Sequence, residues 1–292
     1  MNYNDYARAI IIMAGLKEPL RLVLDRTNWK FGRIEINLLV LAVVINDQFA
    51  VPLFWKALPK KGNSNGAERI DLLRSFIDVF GVERIACLMA DREFIGKAWI
   101  SYLIRHKIPF FIRIKENRLM EWGEGTRHIS FFFRHLKGRK KRHIQFNLDG
   151  HVMFFAGTRS QEGELVIVMS NQDVGTKILD IYKRRWTIEL MFRHCKKNGF
   201  NLEDTRLVNL ERIEKLLAVV GMALLLCFLT GRQEEGKSPT PYKKTLQTPI
   251  FSTFRRGFDF LRRLLFHTRE QALFLLSSLF PHPLKPNGDL CF

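Results

Sequence analysis

The stretch LVLDRTNWKFGRIEINLLVLAVVINDQFAVPLFWKAL, residues 22–58, decides the fold. Its first part is the apolar run 22–24, and two longer runs rich in apolar and β-branched residues follow at 34–47 and 48–58. Such runs, bounded by turn residues, are typical of buried strands. Tight turns between successive strands predict a three-stranded antiparallel meander. The turn residues are Asn28 and Gly32 between the first two strands, and Asn46 and Asp47 between the second and third.

Helices and strands alternate after the meander. Apolar residues at three- and four-residue steps predict an amphipathic helix over 67–80. A buried strand over 84–90, a helix over 96–106 and a strand over 109–114 follow. This order predicts an α/β protein with a ribonuclease-H-like catalytic core, in which a mixed sheet is covered by helices.

The pattern then changes to short alternating stretches, HIQFNLDG, HVMFFAGT and ELVIVMSN, within residues 116–175. Period-two alternation between Asp-Gly and Glu-Gly turns predicts an all-β insertion. The rest of the chain is predicted to be mostly helical. The predicted organisation is a lead-in over 1–20, a first core part over 21–115, the insertion over 116–175, a second core part over 176–231 with the helix of Glu189, a polar linker over 232–249 and a C-terminal helical region over 250–292.

The charge points to an anionic partner. The chain of 292 residues has 47 Lys and Arg against 29 Asp and Glu, a net charge of +18. A field of that size attracts polyanions. Nucleic acid is the usual partner, an anionic membrane surface is the rival, and a basic protein without a special partner is the third interpretation.

Other features favour a reduced, soluble protein. The four cysteines are scattered without a C-x-x-C pair, which argues against zinc and for free intracellular thiols. The N-terminus lacks a positive cluster before its apolar stretch, unlike a signal peptide. The longest apolar run, 216–230, is shorter than the ~20 residues of a membrane span, so we expect a buried core helix.

Two aspartates follow apolar strands. Asp25 comes after the run 22–24, and Asp91 comes after the strand 84–90. If these strands are neighbours, both carboxylates meet at one edge of the sheet. Carboxylate oxygens are the ligands that Mg²⁺ prefers, and paired Mg²⁺ ions catalyse phosphoryl transfer. The alternative for each residue is an ordinary aspartate at the end of a strand.

A third carboxylate lies in the predicted helix IYKRRWTIELMFRHCKK, residues 181–197. At about 100° per residue, one arc of roughly 60° carries a tyrosine, three cations and a single glutamate. A metal-binding glutamate beside phosphate-binding cations explains this face. A solvated face, with Arg185 and Glu189 as an i,i+4 ion pair, explains it as well. The members of the arc are Tyr182, Arg185, Glu189, Arg193 and Lys196.

These residues carry a family resemblance. Tyr182, Arg185, Glu189 and Lys196 meet the pattern Y-x(2)-R-x(3)-E-x(6)-K in full. The stretches DRTNWKFG, residues 25–32, and ADREF, residues 90–94, look like the two aspartate motifs that accompany it. The chain therefore resembles, over roughly residues 20–230, the bacterial insertion-sequence transposases of the Y-R-E-K group. These are DDE enzymes of the cut-and-paste type.

The resemblance implies roles for individual residues. Asp25, Asp91 and Glu189 would be catalytic and would hold two Mg²⁺ or Mn²⁺ ions, while Tyr182, Arg185 and Lys196 would contact DNA phosphates. Arg193, in the same arc, is a further candidate for DNA contact. The basic run 134–143, which contains Arg139, Lys140 and Lys141, is predicted to bind the DNA backbone. Its alternative is a flexible basic loop.

The resemblance also implies partners. The expected partners are the terminal inverted repeats of a transposon and target DNA, with a homodimer on DNA and no membrane, in a bacterial cytoplasm at the nucleoid. Relatives carry a helical DNA-binding domain before the first aspartate, where 24 residues precede Asp25 here. We therefore expect a short variant or a truncated copy. The alternatives are a nuclease without strand transfer and an inactive DNA-binding remnant.

Overall fold

The computed structural model describes residues 2–31, 34–242, 245 and 248–279. It divides into two compact units. The sheet unit comprises Lys17–Phe192 and Arg206–Glu214, and the helical unit comprises Met1–Leu16, Arg193–Thr205 and Lys215–Phe292. The first element, α1 (Tyr3–Met13), belongs to the helical unit.

The sheet unit starts with the predicted meander. Strands β1 (Leu20–Phe31), β2 (Ile34–Asn46) and β3 (Phe49–Ala57) pair antiparallel in sequence order. Strand β2 is buried along most of its length, in keeping with its unbroken apolar run. This part of the fold prediction is confirmed.

Strand β1 continues past Asp25, where the sequence pattern predicts its end. It extends to Phe31, with Asp25 opposite Val40 and Asn28 opposite Asn37 in β2. The long apolar β2 offers backbone partners along this whole length, so pairing overrides the local turn signal of Asn28. Gly32, the second turn residue predicted here, lies outside the described residues.

Parallel pairing joins the meander to the rest of the core. Strand β4 (Ile85–Ala90) runs parallel to β1, and β5 (Phe110–Ile114) runs parallel to β4. The crossovers contain α2 (Gly66–Phe80) and α3 (Lys97–Arg105). At the start of α2, Asn65 and Glu68 form a reciprocal capping box, which satisfies backbone N–H groups at the end of the helix.

The predicted insertion is built into the same sheet. At the start of the insertion, β6 (Leu119–Trp122) and β7 (Gly125–His128) form a separate two-stranded sheet. After a short 3-10 helix, β8 (Arg142–Leu148), β9 (His151–Arg159) and β10 (Leu165–Ser170) pair antiparallel, and β10 pairs with β5. The result is an eight-stranded sheet in the order β3-β2-β1-β4-β5-β10-β9-β8. This mixed sheet with its helices confirms the predicted α/β, ribonuclease-H-like class.

The predicted helix over 176–199 is divided into segments. It consists of α4 (Lys177–Tyr182), one 3-10 turn over Lys183–Arg185 and α5 (Trp186–Lys196). The backbone keeps right-handed helical angles at Lys183 and Trp186. The helix is therefore continuous and is only wound more tightly over the 3-10 turn.

Three further α-helices follow in the described part of the chain, α6 (Leu210–Lys237), α7 (Thr253–His267) and α8 (Arg269–Leu279). Residues 232–237, predicted as the start of a linker, are the last turns of α6. They contain the helix-forming residues RQEE, and Lys237 pairs with Glu234 at 2.8 Å.

Helix α6 has the length and composition of a membrane span, with a mean hydropathy of 2.1 over its most apolar window. However, 56% of that window is buried inside the fold. Leu217, Leu224 and Phe228 are almost fully buried. The helix therefore packs as a core helix, as expected from the sequence.

Candidate active site

Asp25 lies on β1, and Asp91 directly follows β4, the parallel neighbour of β1. In the β1–β4 register, Leu24 is opposite Ala90, the last residue of β4. Asp25 is the next residue in β1, and Asp91 is the first residue after β4. Because the two strands are neighbours, the two aspartates lie next to each other where β4 ends, although β1 itself continues past that point.

Arg185 connects Glu189 to this pair. Its Nη1 donates to Asp25 Oδ2 at 3.2 Å, and its Nη2 donates to Glu189 Oε1. The Tyr182 hydroxyl donates to Asp91 Oδ1 at 3.3 Å. Hydrogen bonds of the sheet unit thus join Asp25 and Glu189 through Arg185, and Asp91 to Tyr182. The Arg185 guanidinium carbon lies 5.7 Å from the centre of the Tyr182 ring, so the two groups are neighbours in one polar network.

Burial shapes the electrostatics of this network. It raises the pKa of Asp25 to about 7, against the opposing effect of Arg185, and the neighbouring charges of Asp91 and Glu93 raise it further. Burial also raises the pKa of Tyr182, so the phenol stays protonated and remains a donor. Burial alone would lower the pKa of Arg185, but Tyr182 and the three carboxylates raise it above its usual value. The guanidinium therefore stays charged.

A second polar network lies beside the aspartates. Arg26 holds Glu93 through two contacts of 3.3 Å and donates to Asn37 Oδ1 at 3.0 Å. The Asn37 amide donates in turn to the carbonyls of Lys60 and Gly62. Arg26, Glu93 and Asn37 were not predicted as a group from the sequence. Two signals were available: Glu93 lies inside the ADREF motif, and Asn37 is a polar residue in an otherwise apolar run.

The donor set suits a hard cation. Asp25, Asp91 and Glu189 offer only carboxylate oxygens, which are the preferred ligands of Mg²⁺ and Mn²⁺. Among the described residues, no three acidic, histidine or cysteine side chains come close enough together to hold a metal. The Arg185 guanidinium bridges Asp25 and Glu189 and so partners two of these carboxylates.

The other residues predicted to bind DNA are either exposed to solvent or paired with acidic residues outside the three carboxylates. Arg193 and Lys196 belong to the helical unit, where Arg193 is exposed and Lys196 pairs with Glu203 at 3.1 Å. Arg139, Lys140 and Lys141 are exposed in the turn before β8. Lys141 pairs with Asp180 at 2.8 Å. The basic run therefore shares no hydrogen bond with Asp25, Asp91 or Glu189 among the described residues.

Comparison with known proteins identifies a family. Residues 17–226 match the family model described as Transposase DDE domain. No curated protein has a matching sequence.

The solved structures similar to the chain include one transposase and two nucleases. A piggyBac transposase chain, from a synaptic complex with hairpin DNA, is 10% identical with a TM-score of 0.45; the similarity covers 94% of this chain and 60% of that one. The NurA nuclease from Sulfolobus solfataricus is 13% identical over 76% of this chain and 91% of its own, with a TM-score of 0.33. Endonuclease V from Bacillus subtilis is 10% identical over 81% of this chain and 94% of its own, with a TM-score of 0.28.

This chain therefore spans 60% of the length of the piggyBac transposase chain. The family assignment rests on the sequence match, which covers well over half of the chain. The matched segment includes Asp25, Asp91, Tyr182, Arg185 and Glu189. Members of this family cleave DNA, transfer strands and generally use divalent metal ions. The chain belongs to the DDE transposase domain family.

Proposed function

We propose that this protein is a DNA transposase that cleaves transposon ends and joins them to target DNA. Asp25, Asp91 and Glu189 would be its catalytic carboxylates, with two Mg²⁺ or Mn²⁺ ions as cofactors. The observation that carries the proposal is that Arg185 bridges Asp25 and Glu189, while the neighbouring Tyr182 donates to Asp91. These residues lie far apart in the chain, and 98 positions separate Asp91 from Glu189.

The chemistry follows from the groups present. When bound, the metal ions would activate the attacking water or DNA hydroxyl and neutralise charge on the phosphate. Burial destabilises the ionised form of Asp25, and the positive charge of a bound metal ion would stabilise it. Arg185 is 12% exposed and charged, so its N–H groups would donate to phosphate oxygens once they leave Glu189. The Tyr182 hydroxyl would donate a hydrogen bond to a phosphate oxygen in the same region.

The finer assignments are part of the same proposal. Tyr182, Arg185, Glu189 and Lys196 would place the protein in the Y-R-E-K group, with Arg193 as a further contact to the transposon end. Arg139, Lys140 and Lys141 would hold the DNA backbone through exposed positive charge. The partners would be terminal inverted repeats and target DNA. A homodimer would assemble on DNA, in the cytoplasm at a bacterial nucleoid.

Isosteric neutral variants of the three carboxylates test the proposal. We expect Asp25→Asn, Asp91→Asn and Glu189→Gln each to lower DNA cleavage by more than about 100-fold, because each removes a negative ligand oxygen from the site. Cleavage of a plasmid with transposon ends measures the effect, and fluorescence anisotropy with duplex DNA should give near-normal binding. The matched control is Asp71→Asn, an exposed carboxylate paired with Lys56 at 3.6 Å, which should cleave like the wild type.

Cleavage at the wild-type level by any of the three variants would remove that residue from the site. A separate assay with pre-cut ends measures strand transfer. Cleavage without strand transfer by the wild type would leave a nuclease in place of a transposase.

A further inference from the structure

A cleft adjoins the catalytic aspartates in the sheet unit. It has a volume of about 780 Å³, and its lining includes Asn63, Arg92, Glu93, Lys115 and Arg118. A second cleft of about 270 Å³ shares Arg92 and Lys115 with it. The two clefts thus have common walls, and the first begins one residue after Asp91.

The sheet topology explains this position. Strands β4 and β5 are parallel neighbours, with Ala90 opposite Ile112. The loops that follow parallel strands emerge at the same edge of the sheet, and ligands bind in the crevice outside that edge. The loop after β4 carries Asp91 and Arg92, and the loop after β5 carries Lys115 and Arg118. The cleft and the catalytic carboxylates therefore share one sheet edge.

The cleft is strongly cationic. Arg92, Lys115 and Arg118 each contribute a positive charge to its lining. The opposing carboxylate, Glu93, is already held by two contacts from Arg26. Three positive charges therefore face the cleft with little compensation, which favours a ligand with several negative charges.

The three cations are available to such a ligand. The side chains of Arg92 and Lys115 make no hydrogen bond or ion pair within the described part of the chain, whereas nearby Arg113 pairs with Glu164. The Nε of Arg118 is buried and has no acceptor among the same residues. A buried donor without an acceptor is unfavourable, so such a group usually awaits a ligand or water oxygen.

We infer that this cleft binds the phosphodiester backbone of a DNA strand that leads away from the bond cleaved at the carboxylates. Arg92, Lys115 and Arg118 would each neutralise one phosphate, and Arg118 Nε would donate to a phosphate oxygen. The inference rests on the proposed function, because it extends the substrate path of the same site. Guanidinium groups suit this task because their N–H groups match the geometry of phosphate oxygens.

The test uses salt dependence. Removing one cation–phosphate interaction reduces the slope of log affinity against log salt by about 0.9 for duplex DNA and about 0.7 for a single strand. We expect Arg92→Gln, Lys115→Gln and Arg118→Gln each to reduce the slope by about one such step, and the triple variant by about three steps. Anisotropy of labelled duplex and single-stranded oligonucleotides in EDTA measures the slopes. A DNA form whose slope the three variants leave unchanged does not lie in the cleft.

Two controls sharpen the result. Arg105→Gln removes an exposed arginine at the end of α3 that does not line the cleft, and its slope should equal that of the wild type. Arg118→Lys keeps the charge and should restore most of the slope. A triple variant that remains folded by circular dichroism and has the slope of Arg105→Gln would overturn the inference.

The outcome is separable from that of the proposed function. Asp91→Asn should abolish cleavage and keep the wild-type slope, because it leaves the cleft cations in place. A wild type that cleaves and transfers strands while the triple variant keeps its slope would refute the cleft alone. Conversely, the triple variant could lower the slope while the wild type never cleaves DNA. That result would refute the proposed transposase function and support the binding of DNA in the cleft.

Discussion

Among single residues, Arg185 has the largest effect on the charge balance of the candidate site. Its guanidinium donates to Asp25 and to Glu189, and its side chain is 12% exposed. A cation in this place offsets the mutual repulsion of closely spaced carboxylates. A divalent metal ion at the proposed site would do the same, so Arg185 and the metal ion would stabilise the same carboxylates in alternative ways.

Removing this arginine should therefore destabilise the metal-free protein. We expect Arg185→Gln to lower the free energy of unfolding by roughly 2–3 kcal/mol, because buried carboxylates lose their partner and proton uptake limits the loss. Urea unfolding with and without Mn²⁺ measures the effect, and Mn²⁺ should restore more stability to the variant than to the wild type.

The adjacent Arg184→Gln is the control. Arg184 pairs with the exposed Asp47 at 2.6 Å, so its loss should change stability by less than about 1 kcal/mol. Equal effects of the two variants would contradict this interpretation.

His194 carries a pH dependence of the helical unit. Its ring packs on Phe254 with a centroid distance of 4.0 Å, and burial, with a smaller effect of Arg193, lowers its pKa to about 4. The unfolded histidine takes up a proton below about pH 6.5, whereas the folded one resists protonation until about pH 4. The stability contributed by the neutral ring is therefore present above this window and is lost as the pH falls through it.

We expect the free energy of unfolding to decrease from about pH 7.5 to about pH 5, and His194→Phe to flatten that decrease because it keeps an aromatic ring without a titrating group. Denaturant titrations at several pH values measure the slope. His106→Phe replaces an exposed ring that lies 4.2 Å from Tyr102 between ring centroids, and it should keep the wild-type slope. An unchanged slope in His194→Phe would assign the pH dependence to other groups.

At the scale of elements, α6 and α7 pack through glycines. A Cβ added at Gly231 would overlap the carbonyl oxygen of Thr253, and one at Gly257 would overlap that of Cys227. Neither oxygen belongs to a flexible side chain, so the helices would have to separate. The two glycines therefore set how closely the backbones approach within the helical unit.

We expect Gly231→Ala and Gly257→Ala each to destabilise the protein by about 3 kcal/mol through overpacking. Gly236→Ala is a matched control on the same helix as Gly231, because its added Cβ would meet no atom within 4 Å. Alanine is the better helix former, so this variant should be neutral or more stable by about 0.5–1 kcal/mol. Chemical denaturation of the three variants provides the comparison, and a loss at Gly236 equal to that at Gly231 would reject the close packing.

At the scale of the whole molecule, the net charge of +18 sets the interaction with polyanions. The proposed contacts account for part of this field: exposed Arg139, Lys140 and Lys141, and the three cleft cations. With about six phosphates contacted, the affinity for non-specific duplex DNA should fall about 10³-fold when salt rises from about 50 to about 200 mM. Asp25→Asn should show the same fall in equilibrium binding titrations. A decrease of less than about tenfold would mean that the positive charge does not meet phosphates.

Much of the fold could be predicted because its signals are local. Apolar runs and turn residues predicted the meander, and helical periodicity predicted α2 and the helices that carry Tyr182, Arg185 and Glu189. The continuation of β1 past Asp25 could not be predicted in this way, because it depends on pairing with β2. Likewise, β10 joins β5 through a register between segments that are distant in the chain.

The amino-acid sequence alone determined the fold class, the family and the three candidate carboxylates, because each depends on motifs and short-range periodicity. Only the tertiary structure decided that Asp25 stands beside Asp91, that Arg185 lies between Asp25 and Glu189, and that Arg26 engages Glu93 and Asn37. It also decided that Arg92, Lys115 and Arg118 line one cleft at the same edge. The physical reason is that strand register and side-chain direction are set by packing between distant segments, on which short-range patterns carry no information.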